Sequence, residues 1–137
     1  QRLFELIERD KRIICTDQTY MITSLIKQCY CNLSFFTIPH ANLALAECEI
    51  LCVPSVAALT DESLEYSIDG ELSILYEINN YKDFCKAVNT IDERYHELKN
   101  SLLAKSNIIK QKFSPSENIS KLHDVLRSLI SDTFRVL

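Results

Sequence analysis

The side chains whose type and spacing could do chemistry are few. Cys15, Cys29, Cys31, Cys48, Cys52 and Cys85 form the thiol set. Cys48 and Cys52 stand at i, i+4, so on a helix they share one face. Cys29-x-Cys31 is a second short pair. Either pair has the spacing of half a metal site, but neither has a second pair at zinc-finger spacing, so no metal is expected. The thiols fall inside apolar patterns of a chain too large to need disulfide staples. Six reduced cysteines in a reducing, cytoplasmic compartment are expected. No Ser/His/Asp or Cys/His constellation can be recognised from spacing. Glu47 is the most suggestive carboxylate. It falls one turn into a helix that follows a strand, the place where open α/β sheets bind ligands. There it can accept both hydroxyls of a ribose. The backbone N–H groups at Asn42 and Leu43 open that helix and suit a phosphate, with His40 beside them. Asp61 and Glu62 open the next helix. They either meet the same ligand or serve as a helix N-terminus favoured by the macrodipole.

These residues need elements to hold them. Residues 2–10 have the spacing of a short amphipathic helix, with Leu3, Leu6 and Ile7 on one face. Ile13-Ile14-Cys15 has the form of a buried strand. Thr16 to Cys29 keeps a helical period. Leu33 to Ile38 is aromatic and β-branched, and Pro39 ends it, which predicts a strand and then a loop. Asn42 caps a helix through Leu51, with Leu43, Ala46, Ile50 and Leu51 apolar. Val53 to Ala58 is a third apolar run, with Pro54 near its start where no ladder bond is lost. Thr60 to Glu65 has the form of a loop running into a helical turn, with Asp61 or Thr60 as cap, and Asp69-Gly70 is the strongest turn dipeptide. Ser73 to Tyr76 is a fourth strand. From Asn80 onward the pattern is helical, with Tyr81, Phe84, Cys85 and Val88 on one stripe. Leu98, Leu102, Leu103 and Ile109 form another. Ser114-Pro115-Ser116-Glu117 restarts a last amphipathic helix.

Short, wholly apolar strands alternating with helices predict right-handed βαβ units. The expected architecture is a Rossmann-like three-layer αβα domain over residues 1–137. Its parallel sheet would use strands near 12–15, 33–38, 53–58 and 73–76, and a helical C-terminal tail would follow. The 137 residues suit one domain, and 47% apolar content excludes a disordered chain. A single glycine in the whole chain excludes glycine-lined phosphate loops. The net charge of −4 argues against nucleic acid as a partner, as do aromatic positions that do not interleave with Arg. Lys105, Lys110 and Lys112 are expected on a solvated helix face. No run is long and apolar enough for a membrane span. With Gln1 first, the chain is expected to be part of a longer polypeptide. Asn32-Leu-Ser34 and Asn118-Ile-Ser120 fit the glycosylation sequon.

The order of these punctuating residues resembles the C-terminal, nucleotide-sugar-binding half of retaining GT-B glycosyltransferases. That family carries L-x-x-x-E-A-x-x-x-G-x-P-V-[IV]-A, then P-E-x-[IV]-x-[DE]-G-x-x-G-x-[LV]-[VI], and closes on R-x-x-F-S/T-W. Here Leu43-x-x-x-Glu47 leads to Val53-Pro54-Ser55-Val56-Ala57. Glu65 and Asp69-Gly70 hold the second segment, and Ile74-Leu75-Tyr76 its closing strand. Phe84, Ala87 and Val88 match the next helix, and Lys112-Phe113-Ser114 the close. The register from Glu47 to Leu122 needs no gap. Arg12-Ile13-Ile14 and Cys31-Asn32-Leu33 resemble the two preceding strand entries.

The resemblance implies a domain that binds a nucleotide-diphosphate sugar as donor substrate, with no other cofactor. It implies hexose transfer to a glycan, lipid or protein acceptor, and an N-terminal domain of the same chain as partner. An acceptor at a membrane would make the protein membrane-peripheral. In the family's paired glutamates, the second binds the donor ribose, and that position is Glu47. The first falls on Pro39. The family's Gly-Gly is Asp61-Glu62 here, its Gly before V-P is Cys52, and its Trp is Pro115. Carboxylates at diphosphate contact would repel it by about 4 kcal/mol per pair at 4 Å and a dielectric near 20. These departures suit an alternative: a non-catalytic accessory subunit on the same scaffold, acting within a protein complex. A weaker alternative is a Rossmann-like ribosomal small-subunit protein, through Glu47-to-Pro54 and Tyr66-Ser67-Ile68-Asp69-Gly70. That alignment needs a deletion, and the acidic charge opposes it.

Overall fold

The computed structural model describes residues 5, 9–14, 21–35, 42–68 and 70–134, with side chains described up to residue 128. The elements run α1 (Ile22–Gln28), β1 (Asn32–Ser34), α2 (Leu43–Ile50), β2 (Ser55–Ala58), α3 (Asp61–Tyr66), β3 (Ser73–Tyr76), α4 (Tyr81–Ala104), α5 (Ser106–Lys112) and α6 (Pro115–Phe134). The three described strands form one parallel sheet in the order β1-β2-β3. Val56 pairs with Leu33 on one side and Ile74 on the other. Each crossover carries a helix, as parallel pairing demands.

Strand periodicity divides the central residues between two layers. Val56, Ala58 and Tyr76 turn to one face and pack with Ala87, Ile91 and Leu98 of α4, with Phe84 at the margin. Ser34, Ala57 and Ser73 turn to the other face, where α2 lies. Asn42 Nδ2 donates to Ser34 Oγ at 3.0 Å there, and Ser73 Oγ donates to Glu49 at 3.1 Å. The result is the expected three-layer α/β arrangement with a helical C-terminal tail.

Helix α4 has 24 residues, so at 1.5 Å per residue it is about 36 Å long. A four-residue strand spans only about 13 Å. The helix therefore overshoots the strands' N-terminal end and builds a second core there. Leu72, Leu102 and Ile109 form it, with Ile50, Cys52, Ile68 and Phe113 against them. Three lysines tie down the same end. Lys99 Nζ donates to the Cys52 carbonyl at 2.6 Å, Lys105 pairs with Glu71, and Lys112 donates to the Glu65 carbonyl. Lys105 is thus engaged with the turn before β3 and Lys112 with the end of α3, so the expectation of a solvated lysine face is corrected for these two, while Lys110 is exposed.

Other expectations are corrected as well. Arg12 to Ile14 form no strand, and Ile14 is 80% exposed. A strand exists only through ladder partners, and none of the three described strands pairs with this run. Strand β1 ends at Ser34, and residues 36–38 lie outside the described ones, as does most of the helix expected over 2–10. Helix α1 buries none of its residues. Helix α2 buries Leu45, Ala46, Cys48 and Glu49, whereas Leu43 is exposed. Its sequence LALAECEI is apolar around most of its circumference, so periodicity alone did not define the inward face. On α4, Tyr81 is exposed, Phe84 and Cys85 are half-buried, and the buried stripe begins at Ala87.

Candidate functional site

Three helices begin at the C-terminal ends of the three strands, and each is capped by a side chain of its own sequence. Asn42 Oδ1 accepts from Leu45 N at 3.2 Å. Thr60 Oγ1 accepts from Ser63 N at 3.1 Å. Asn80 Oδ1 accepts from Asp83 N at 3.1 Å. Asn and Thr are preferred there because the side-chain oxygen satisfies an N–H the helix cannot. Asn42 is itself buried and anchored to β1 through Ser34. The start of α2 is therefore fixed to the sheet edge, while the N–H groups of Leu43 and Ala44 have no intrahelical acceptor.

Leu43 and Glu47, four residues apart, are both exposed on α2. The Glu47 side chain makes no hydrogen bond or ion pair with the described residues. Its carboxylate is thus open to solvent one turn above the free N–H groups. Asp61 and Glu62 form the first turn of α3, behind the Thr60 cap. Carboxylates there are stabilised by the helix dipole and present negative charge at the same end of the sheet. Asn42, Leu43, Asp61 and Glu62 thus stand at adjoining helix starts, with Glu47 one turn along. His40 lies outside the described residues.

Two features were missed by sequence reasoning. The first is Glu49, fully buried between α2 and β3. Its Oε1 accepts from Ser73, and its Oε2 has no partner. Burial pushes its carboxyl up to about 8, against the smaller opposing effects of the Ser73 hydrogen bond and the Lys112 charge. No signal in LALAECEI marks Glu49 rather than Glu47 as the inward carboxylate. The second is an aromatic cavity of about 400 Å³ on the α4 face, lined by Phe35, Tyr76, Asn79, Asn80, Tyr81 and Phe84. The Asn79-Asn80 dipeptide after a strand was an available signal, since Asn tolerates the left-handed conformation that Asn79 adopts at φ 62°.

The five described cysteines are free thiols, and Cys15 lies outside the described residues. Burial pushes the Cys48 thiol up to about 12, which keeps it protonated and inert. Among the described residues no group of three His, Cys, Asp or Glu side chains could hold a metal ion. No described helix is long and apolar enough to cross a membrane. No protein-family model, curated protein or solved structure matches this chain.

Proposed function

We propose that this chain is the nucleotide-sugar-binding half of a GT-B-type glycosyltransferase, which transfers a hexose from a nucleotide diphosphate donor to a glycan, lipid or protein. The observation that carries the reading is the start of α2. The N–H groups of Leu43 and Ala44, without an acceptor among the described residues, stand at the sheet's C-terminal edge, and a Glu47 carboxylate uncommitted among those residues stands one turn further on. A phosphate suits the first and a ribose diol the second. The gapless register with that family from Glu47 to Leu122 supports the same reading. The acceptor would be held by an N-terminal domain of the same polypeptide.

The test is a thermal-shift titration with UDP, GDP, ADP and their sugar conjugates. A ligand at 100 times its dissociation constant should add about 2.7 kcal/mol of stability. Glu47→Gln should weaken that ligand by about 1.5–3 kcal/mol, the worth of a hydrogen bond to a charged group. Fold stability should hardly change, because Glu47 is exposed. If no nucleotide binds, or if the variant binds equally well, the reading fails.

A second reading, a non-catalytic accessory module on the same scaffold, draws on Asp61 and Glu62. Their charges already occupy the positive end of α3, where a donor diphosphate would otherwise be attracted. Asp61→Asn with Glu62→Gln separates the two readings. An enzyme should gain nucleotide affinity from it, and an accessory module should stay without nucleotide binding.

A further inference from the structure

On the opposite face of the sheet from Glu47, six residues line an open cavity to which neither helix α2 nor α3 contributes. Phe84 is the ring that the other three approach. Phe35 stands 5.0 Å from it, ring centre to ring centre, Tyr76 at 5.2 Å and Tyr81 at 6.5 Å. Asn79 and Asn80 complete the lining. The cavity measures about 400 Å³ and is largely apolar, with a few polar groups. That composition is the usual one for a small-molecule site. Packing does not require it to be open, since Phe35 and Tyr81 leave 56% and 77% of their surface exposed.

Two polar groups of the lining are unspent. Tyr76 is almost wholly buried, yet its hydroxyl has no hydrogen-bond partner among the described residues and is not sealed from solvent. Burial raises its pKa, so the hydroxyl is neutral and can both donate and accept. The Asn79 amide is likewise uncommitted, and its backbone sits in the left-handed region at φ 62°. The two carboxylates beside the lining are engaged. Asp83 accepts from Glu77 N at 2.7 Å, and Glu77 accepts from Asn80 Nδ2 at 2.7 Å. No charged side chain lines the cavity, so a phosphate or carboxylate ligand finds no counter-charge there.

The ring geometry narrows the ligand further. The planes of Phe35, Tyr76 and Tyr81 lie at 55°, 70° and 38° to Phe84. None of the three rings lies parallel to Phe84, so Phe84 forms no parallel-walled slot with any of them for a flat nucleobase. A puckered ring suits oblique walls better. Its C–H hydrogens carry slight positive charge and meet the negative faces of the aromatic rings. Its hydroxyls then reach the Tyr76 hydroxyl and the Asn79 amide. We infer that this cavity is a binding subsite for a neutral pyranose sugar, separate from the α2 edge. The inference does not depend on nucleotide binding by Glu47.

Saturation-transfer NMR on the whole chain tests it, with the methyl pyranosides of glucose, galactose, mannose and N-acetylglucosamine as probes. At least one glycoside should receive saturation from the aromatic protons. Tyr81→Ala should weaken its binding about five- to tenfold through the lost ring contact. Asn79→Gly keeps the left-handed backbone and removes only the amide, and Tyr76→Phe keeps the ring and removes only the hydroxyl. Each should cost about fivefold, the worth of one neutral hydrogen bond. Glu47→Gln should leave glycoside binding unchanged, and Tyr81→Ala should leave nucleotide affinity unchanged. The inference is overturned if no glycoside receives saturation, if Tyr81→Ala and Asn79→Gly bind as the parent does, or if uridine or adenosine displaces the glycoside from these residues.

Discussion

Ser73 Oγ donates a 3.1 Å hydrogen bond to Oε1 of Glu49, and the second carboxylate oxygen of Glu49 is buried without a partner. The pair crosses from the first residue of β3 to the last turn of α2, where no solvent reaches. An ionised carboxylate there would keep an unpaired charge in the core, so the neutral acid is the form the fold accommodates.

Stability should therefore depend on pH through Glu49. Its carboxyl is raised from 4.5 to about 8 in the folded chain. Between those values the folded state holds a proton that the unfolded state has lost. Stability should then fall as pH rises from 5 to 8, by up to about 1.4 kcal/mol per unit, and level off above. Glu49→Gln mimics the neutral acid and should flatten that slope. It should be nearly neutral at pH 5 and stabilising by roughly 1–3 kcal/mol at pH 8. Urea unfolding at both values checks this, and equal slopes in parent and variant would refute it.

Asn42→Ala should be costly for an eight-residue helix. It removes the Leu45 cap and leaves Ser34 Oγ without the Asn42 donor. A loss of about 1–2 kcal/mol is expected. Asn42→Asp keeps the acceptor for Leu45 and should lose less. Thermal denaturation of the two variants ranks them.

Gly70 takes φ 81°, and a Cβ placed there would meet Leu75 Cδ1 at an ordinary 3.5 Å. Space is therefore not the obstacle. Gly70→Ala should cost about 1 kcal/mol through backbone conformation alone. Gly70→Asn should cost less, since Asn tolerates that region. Equal midpoints for both in chemical denaturation would contradict the assignment.

The thiols should react in order of exposure. Cys29 is exposed and Cys48 is buried, with its pKa pushed up to about 12. Under native conditions an aromatic disulfide reagent should label Cys29 early. Cys48 should be labelled only after unfolding, because the thiolate is the reactive form. Peptide mapping after timed quenching reads the order, and early labelling of Cys48 would count against its burial.

Local chemistry was legible wherever a residue's own neighbours decide its role. Asn42, Thr60 and Asn80 can be read as caps because a short polar side chain before an apolar-periodic run satisfies the first helical N–H groups. Ser73 to Tyr76 can be read as a strand from its own residues, and Asp69-Gly70 marks a turn at the one residue free to take φ 81°. Alternation of strands and helices was enough for a parallel sheet with covered faces.

What the tertiary structure alone decided is which side each short element turns. Ile13 and Ile14 have strand composition, yet a strand is made by its partner and none of the described strands pairs with them. In LALAECEI two glutamates lie two residues apart, and only packing against β3 makes one a buried acid and the other an open carboxylate. Phe35, Tyr76 and Phe84 come from three separate segments, and no local pattern joins them. The sheet brings them together because residues at the ends of parallel strands meet the first turn of the helix that crosses over them. Periodicity follows from the chain's own geometry, whereas facing and convergence follow from long-range burial, which a short apolar segment does not encode by itself.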